Sequence, residues 1–231
     1  MSIIVVAEIG VNWDGDYKIL RKMMRFSKKA GCTAIKLQAF NEKIIGNHPQ
    51  KNRLLKTSVS EKNIKKIDDI AKSVGIEWFC TPMYPEAVLM LNPYVKRFKI
   101  RFGDSKDLFK SKKSELLEKI LETKKEVIIS SIKPPKQKMR NKKIKWLYVV
   151  PKYPCDFSDI NFKNLKKFDG YSNHCPYIIA PLTAVILGAK IIEVHITNDK
   201  SKDYFDNAVS FDESELKQLM DGIRNISKIK K

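Results

Sequence analysis

Gly170-Tyr171-Ser172-Asn173-His174 and Ile191-Ile192-Glu193-Val194-His195-Ile196-Thr197 are two strand-like runs, separated by a 16-residue apolar, helix-like stretch at 175–190. A helix between two strands implies that the strands lie parallel. Each run carries a histidine at or near its end. Parallel neighbours therefore project the imidazoles of His174 and His195 at the same edge of the sheet, as half of a divalent-metal site.

The same alternation extends along the rest of the chain. Short β-branched runs fall at 3–9, 34–39, 77–81, 97–102, 126–130 and 145–150, ahead of 170–174 and 191–197. Amphipathic helical stretches fall at 17–30, 61–74, 85–91, 114–123, 160–167, 178–187 and 214–226. Gly31, Gly75 and Gly188 stop helices where strands resume. Eight such units in 231 residues predict a single-domain α/β fold over 1–231, a (β/α)8 TIM barrel, in preference to an open doubly wound sheet. The segment 133–143 is basic and Pro-rich and predicts no helix. The long connection 41–59, with Asn47-His48-Pro49, lies on the active-site side of a barrel and could serve as a lid, with His48 an exposed loop residue.

A hydrophobic content of 43% supports a real core and excludes wholesale disorder. Cys32, Cys80, Cys155 and Cys175 form no CxxC pair and read as reduced thiols. No apolar run is long enough to span a membrane, and the N-terminus opens directly on a strand, so the expected location is cytoplasmic. The net charge of +19 is dispersed, with clusters at 133–145 and 228–231, and no nucleic-acid-binding motif accompanies it. It reads as a solvated basic surface that attracts anionic small substrates rather than as a nucleic-acid interface.

A TIM barrel carries its chemistry at the C-terminal ends of its strands. Strand one ends at Glu8. Period-two alternation puts Lys36 and Gln38 on one face of strand two, Lys99 and Arg101 on one face of strand four, and Glu193, His195 and Thr197 on one face of strand eight. Charges inside a barrel are costly unless paired or functional. Two lysines and an arginine near hydroxyls such as Ser130 suit a phosphate or carboxylate ligand. The competing explanation is internal ion pairing of Lys36 or Lys99 with Glu8 or Glu193. For the histidines, Glu193 is the expected supporting partner, and Mn²⁺ or Zn²⁺ the kind of ion that two imidazoles plus oxygen ligands would hold.

Ala7-Glu8-Ile9-Gly10-Val11-Asn12 with Asp14-Gly15-Asp16, then Ala34-Ile35-Lys36-Leu37-Gln38, resembles the opening of the N-acetylneuraminate (sialic acid) synthase family. Phe79-Cys80-Thr81-Pro82, Phe98-Lys99-Ile100, Tyr153-Pro154 and the two histidine segments continue the resemblance in order. The resemblance implies condensation of phosphoenolpyruvate with an N-acylated amino sugar such as N-acetylmannosamine, giving a nine-carbon 2-keto sugar acid and free phosphate. It further implies a divalent metal on His174 and His195, most often Mn²⁺, with Mg²⁺, Co²⁺ and Zn²⁺ as the other candidates. Glu8 takes the acid/base position. Lys36, Lys99, Thr81, Ser130 and Ser172 match phosphoenolpyruvate-binding positions, and Gln38, Tyr153 and Asp206 match sugar-facing ones.

The chain departs from that pattern on strand four. Arg101-Phe102-Gly103-Asp104 stands where the family has a Ser-Gly-Glu segment, so Arg101 is expected to replace a lost hydroxyl contact to phosphate and Asp104 to replace the glutamate. The family's small C-terminal antifreeze-like domain is expected to be absent, its sugar contact left to a homodimer partner or a separate sugar-capping chain. These departures motivate a second reading, a non-catalytic relative that binds a sugar or phosphorylated ligand as a partner subunit. A third is a metal-dependent lyase or aldolase in which one lysine forms a Schiff base.

Overall fold

The computed structural model describes residues 3–110 and 114–229. Eight parallel strands close into one barrel in chain order: β1 (Ile4–Glu8), β2 (Ala34–Ala39), β3 (Glu77–Pro82), β4 (Arg97–Ile100), β5 (Glu126–Ser131), β6 (Ile144–Val149), β7 (Gly170–Asn173) and β8 (Ile191–His195), which pairs back to β1. This is the (β/α)8 barrel that the alternation predicts. The strands are buried on both faces, which is why they read as near-continuous β-branched runs. Gly170 shows how tightly the last staves close: a Cβ there would lie 1.9 Å from the carbonyl oxygen of Ile191. Only glycine allows that approach.

The helices are α1 (Tyr17–Ala30), α2 (Glu42–Ile45), α3 (Lys51–Thr57), α4 (Ile64–Val74), α5 (Pro85–Leu91), α6 (Phe102–Ser105), α7 (Glu115–Glu122), α8 (Ile179–Ile186) and α9 (Glu213–Ile229). In α1, Asp16 caps the first turn through the Lys18 amide at 2.7 Å, and Gly31, at φ +100°, ends the helix in the left-handed region. Between them Leu20, Met23, Met24 and Phe26 bury one stripe against the barrel. Burying such a side chain fully stabilises by about 1.5–3 kcal/mol.

The structure changes several predicted elements. The helix expected at 61–74 begins only at Ile64. The helix expected at 160–167 is a 3-10 segment, Phe162–Lys167, in which only Leu165 is buried. Phe162 anchors it edge-on to Tyr148 and Tyr171, with ring centroids 6.0 and 5.0 Å apart, so a single aromatic anchor replaces the stripe an α-helix would need. Strand four stops at Ile100, and Arg101 caps α6. The connection 41–59 is not structureless, since it contains α2 and α3. All four cysteines are free and buried. No helix among the described residues is long and apolar enough to cross a membrane.

Candidate active site

Strand register, rather than any local motif, gathers the site. Glu8 lies opposite Lys36 on β2 and opposite His195 on β8; Gln38 lies opposite Thr81, and Ser172 opposite Glu193. These side chains open into a cavity of about 580 Å³ at the C-terminal mouth of the barrel.

The floor is a buried ionic network. Lys36 Nζ lies 2.9 Å from Glu8 Oε2 and 3.8 Å from Glu193 Oε2, and it donates to Thr81 Oγ1 at 3.2 Å. Lys99 Nζ lies 3.4 Å from Glu193 Oε1 and donates to Ser130 Oγ at 2.6 Å. Ser172 Oγ donates to Glu193 Oε1 at 2.8 Å, and Gln38 Nε2 to Glu8 Oε1 at 2.9 Å. Internal ion pairing and placement at a binding cavity therefore hold for the same residues. Glu193, expected beside the histidines, instead bridges both lysines. Burial opposes its charge, but Lys36 and Lys99 prevail and hold its carboxyl down at about 2.

The two lysines differ. Burial pushes both ammonium groups down, but at Lys36 the carboxylates of Glu193 and Glu8 outweigh it and hold the group above its ordinary value. At Lys99 burial wins, with only partial relief from Glu193, and the group sits below its ordinary value. Lys99 is the cation more in need of an added anion.

The other end of the cavity carries the histidines. The rings of His174 and His195 lie 5.6 Å apart between centroids, and Tyr153 stands edge-on to both, at 4.8 and 5.5 Å. His174 Nδ1 is 2.8 Å from the carbonyl of Val150. Burial, reinforced by the nearby His195, lowers its pKa to about 4, so it is neutral near pH 7. His195 Nδ1 lies 3.3 Å from Asp206 Oδ2 and 3.3 Å from the Tyr153 hydroxyl. Burial pushes the Asp206 carboxyl up, but the His195 hydrogen bond and charge outweigh it and hold it below its ordinary range. Asp206, matched to the sugar, is thus in the structure also the carboxylate partner of His195, the place expected for Glu193.

Among the described residues, no group of three or more His, Cys, Asp or Glu is arranged to hold a metal ion. The pair nevertheless fits a divalent ion completed by water or substrate oxygens. Each Nδ1 is occupied by an oxygen partner, and neither Nε2 has a hydrogen-bond partner among the described residues. That arrangement orients an imidazole as a ligand.

Of the remaining predicted residues, Arg101 lines the cavity, but its Nε is tied to Asp104 Oδ2 at 2.8 Å, and Asp104 stands behind it rather than in the cavity. The connection 41–59 borders the cavity at its rim, on the side expected of it, but sequence reasoning missed its wall residues: Ile44, Ile45 and Leu54, with Phe205 from beyond β8, form an apolar wall that the exposed His48 borders. Arg53 ties the two halves of that rim together. Its Nε lies 2.7 Å from Asp14 Oδ1, its Nη2 donates to the Asp203 carbonyl, and its guanidinium sits 4.8 Å from the Phe205 ring centroid. No periodicity marks these residues in the sequence.

Comparison with known proteins extends over nearly the whole chain. The model of the NeuB family matches residues 23–231. An uncharacterised protein of Methanocaldococcus jannaschii is 32% identical over 245 residues, covering 97% of this chain and 71% of that protein. The N,N'-diacetyllegionaminic acid synthase of Legionella pneumophila is 28% identical, covering 97% of this chain and 72% of that enzyme. Among solved structures, the N-acetylneuraminic acid (sialic acid) synthetase of Leptospira borgpetersenii, in complex with citrate, superposes with a TM-score of 0.87 at 27% identity over 99% of this chain and 85% of that one.

Proposed function

The chain belongs to the NeuB family, and from that premise we propose that it condenses phosphoenolpyruvate with an N-acylated amino sugar resembling N-acetylmannosamine. The product is a nine-carbon 2-keto sugar acid of the sialic acid type, and phosphate is released. One observation carries this reading: the register sets Glu8 between Lys36, at the cationic floor, and His195, at the imidazole end. An acid/base carboxylate between an anion site and a carbonyl-activating site is what joining these two substrates requires.

Lys36 and Lys99, with Thr81, Ser130 and Ser172, bind the phosphate and carboxylate of phosphoenolpyruvate, exchanging carboxylate partners inside the barrel for the ligand's oxygens. The acceptor lies above, against Gln38, Tyr153 and Asp206, with its open-chain aldehyde toward the histidines. His174 and His195 would hold a divalent ion, with Mn²⁺ the first candidate, which would supply Lewis-acid polarisation of that carbonyl. The methylene carbon of phosphoenolpyruvate forms a bond to the aldehyde carbon, whose oxygen gains a proton. Water adds to the electron-poor C2 and gives up one proton, which balances the one gained at the aldehyde oxygen. As the C2–O bond to phosphate breaks, the remaining hydroxyl proton passes to the departing phosphate and the ketone is left. Glu8, oriented by Gln38, handles the proton at the aldehyde or the water. The rim set by Arg53 limits access of bulk water.

The test is phosphate release from phosphoenolpyruvate and Mn²⁺ across a panel of N-acylated amino sugars. Release with at least one acceptor is expected, and His195→Ala should abolish it while the circular dichroism spectrum stays unchanged. Tight phosphoenolpyruvate binding without release for any acceptor would sink the proposal and leave the binding-subunit reading.

A further inference from the structure

Asn12 lies just beyond β1 and is fully buried, yet its side chain hydrogen-bonds to neither lysine and neither histidine. Its side-chain amide is spent on the segment after β8. Nδ2 donates to the Ile196 carbonyl at 3.0 Å and to Ser210 Oγ at 2.9 Å, and Oδ1 accepts from the Asp206 amide at 2.9 Å. Ser210 Oγ in turn donates to the Asp206 carbonyl at 2.6 Å. Asp206 is therefore held at both backbone polar groups by two side chains that are bonded to each other. Gly10, in the same β1 tail, leaves the room this needs: at φ +51°, an added Cβ would lie 3.2 Å from Asp206 Oδ2 and 3.1 Å from Glu8 Oε1.

We propose that Asn12 is a positioning residue that, with Ser210, fixes Asp206 against His195. Asp206 Oδ2 then accepts the Nδ1 proton of His195, so the ring keeps its Nε2 lone pair free for a ligand. Without the two clamps the carboxylate rides on the segment between β8 and α9, whose regular elements are the bridge of Ile196 to Phe211 and the 3-10 turn Asn207–Val209, and its side-chain partners are Tyr153 and His195. A carboxylate that wanders leaves the ring free to exchange tautomers, and the Nε2-protonated fraction of the neutral rings then presents a proton where a lone pair is required. The assignment of Nε2 as a metal donor rests on the function proposed above; the tautomer assignment does not.

The experiment uses metal-free protein and the metal alone. Ring ¹⁵N shifts of His195 at pH 8 report the tautomer, and titration with Mn²⁺, read by the electron paramagnetic resonance of the free ion, reports affinity. Wild type should show the Nδ1-protonated form. Asn12→Ala and Asp206→Asn should each give a mixed population and weaken Mn²⁺ binding about 10- to 100-fold, the usual cost of losing a partner behind a ligating histidine. Because both act through one contact, the double variant should bind no more weakly than Asp206→Asn alone. Should Asn12→Ala fail to fold, Ser210→Ala removes one hydroxyl of the same clamp and should move both readouts in the same direction. An Asn12→Ala protein that melts earlier but keeps the wild-type tautomer and affinity would overturn the proposal, as would strictly additive losses. Wild type that binds no Mn²⁺ would overturn the metal reading, and the tautomer would still decide the role of Asn12.

Discussion

The floor of the cavity and its rim are built by opposite means. At the floor, Glu8, Lys36, Lys99 and Glu193 sit on four strands, nearly excluded from solvent, with their distances set by strand register. At the rim, Arg53 and Phe205 sit on a short helix and a loop, joined by contacts that water partly reaches. The same kinds of group, cations beside carboxylates, therefore differ greatly in energetic weight. Breaking a buried pair strands a charge in a poorly solvated place, whereas an exposed pair exchanges one set of partners for water.

The largest effect should come from Glu193→Ala, which removes the bridge between both lysines. A loss of about 3–5 kcal/mol in urea unfolding is expected, and a loss below that at the rim would collapse the contrast. Next is Lys99→Ala. It removes the floor cation whose charge is least well compensated, and phosphoenolpyruvate affinity measured by calorimetry should fall about 10- to 100-fold, the worth of one charge-assisted hydrogen bond of about 1.5–3 kcal/mol. The pH response sharpens the same point. Glu193 is held at about 2 when folded, against an ordinary value of 4.5. A depressed carboxyl contributes stability in full above its unfolded pKa and loses it as pH falls through the folded one. The stability difference between wild type and Glu193→Gln should therefore be flat above about pH 4.5 and shrink toward pH 2, as read from urea midpoints. The smallest effect belongs to Arg53→Ala, at about 0.2–1 kcal/mol for each exposed pair lost. Its signature should be faster hydrogen exchange in α3 and the loop before Asp206, with the floor unchanged.

The contrast also explains what could be read in advance. Alternation puts Lys36 and Gln38 on one face, and Glu193 and His195 on another, because a strand's period of two survives any tertiary context. The barrel follows from the succession of such strands. Partner choice does not follow, since alternation names a face and not a neighbour. Glu193 was expected at the histidines because it lies two residues from His195. Register instead aims it across at Lys36, Lys99 and Ser172, and Asp206 arrives at His195 from a loop. Arg101 was placed on strand four by the same alternation, but the strand ends one residue earlier and leaves the guanidinium on Asp104. The length of the connection 41–59 marked the rim, but not which of its residues face the cavity, because α2 and α3 are too short to show a period.

The floor's two ammonium groups and two carboxylates sum to no net charge when all are ionised. A dianion seated there leaves the interior with two uncompensated negative charges, which a divalent cation at the histidines would cancel. Uptake of the anion is then thermodynamically linked to uptake of its counter-charge, and each raises the affinity of the other by the same factor. In calorimetry that linkage would appear as an anion affinity that rises when a divalent cation is added, and the barrel would behave as an exchanger of neutral sets of ions rather than as a fixed positive trap.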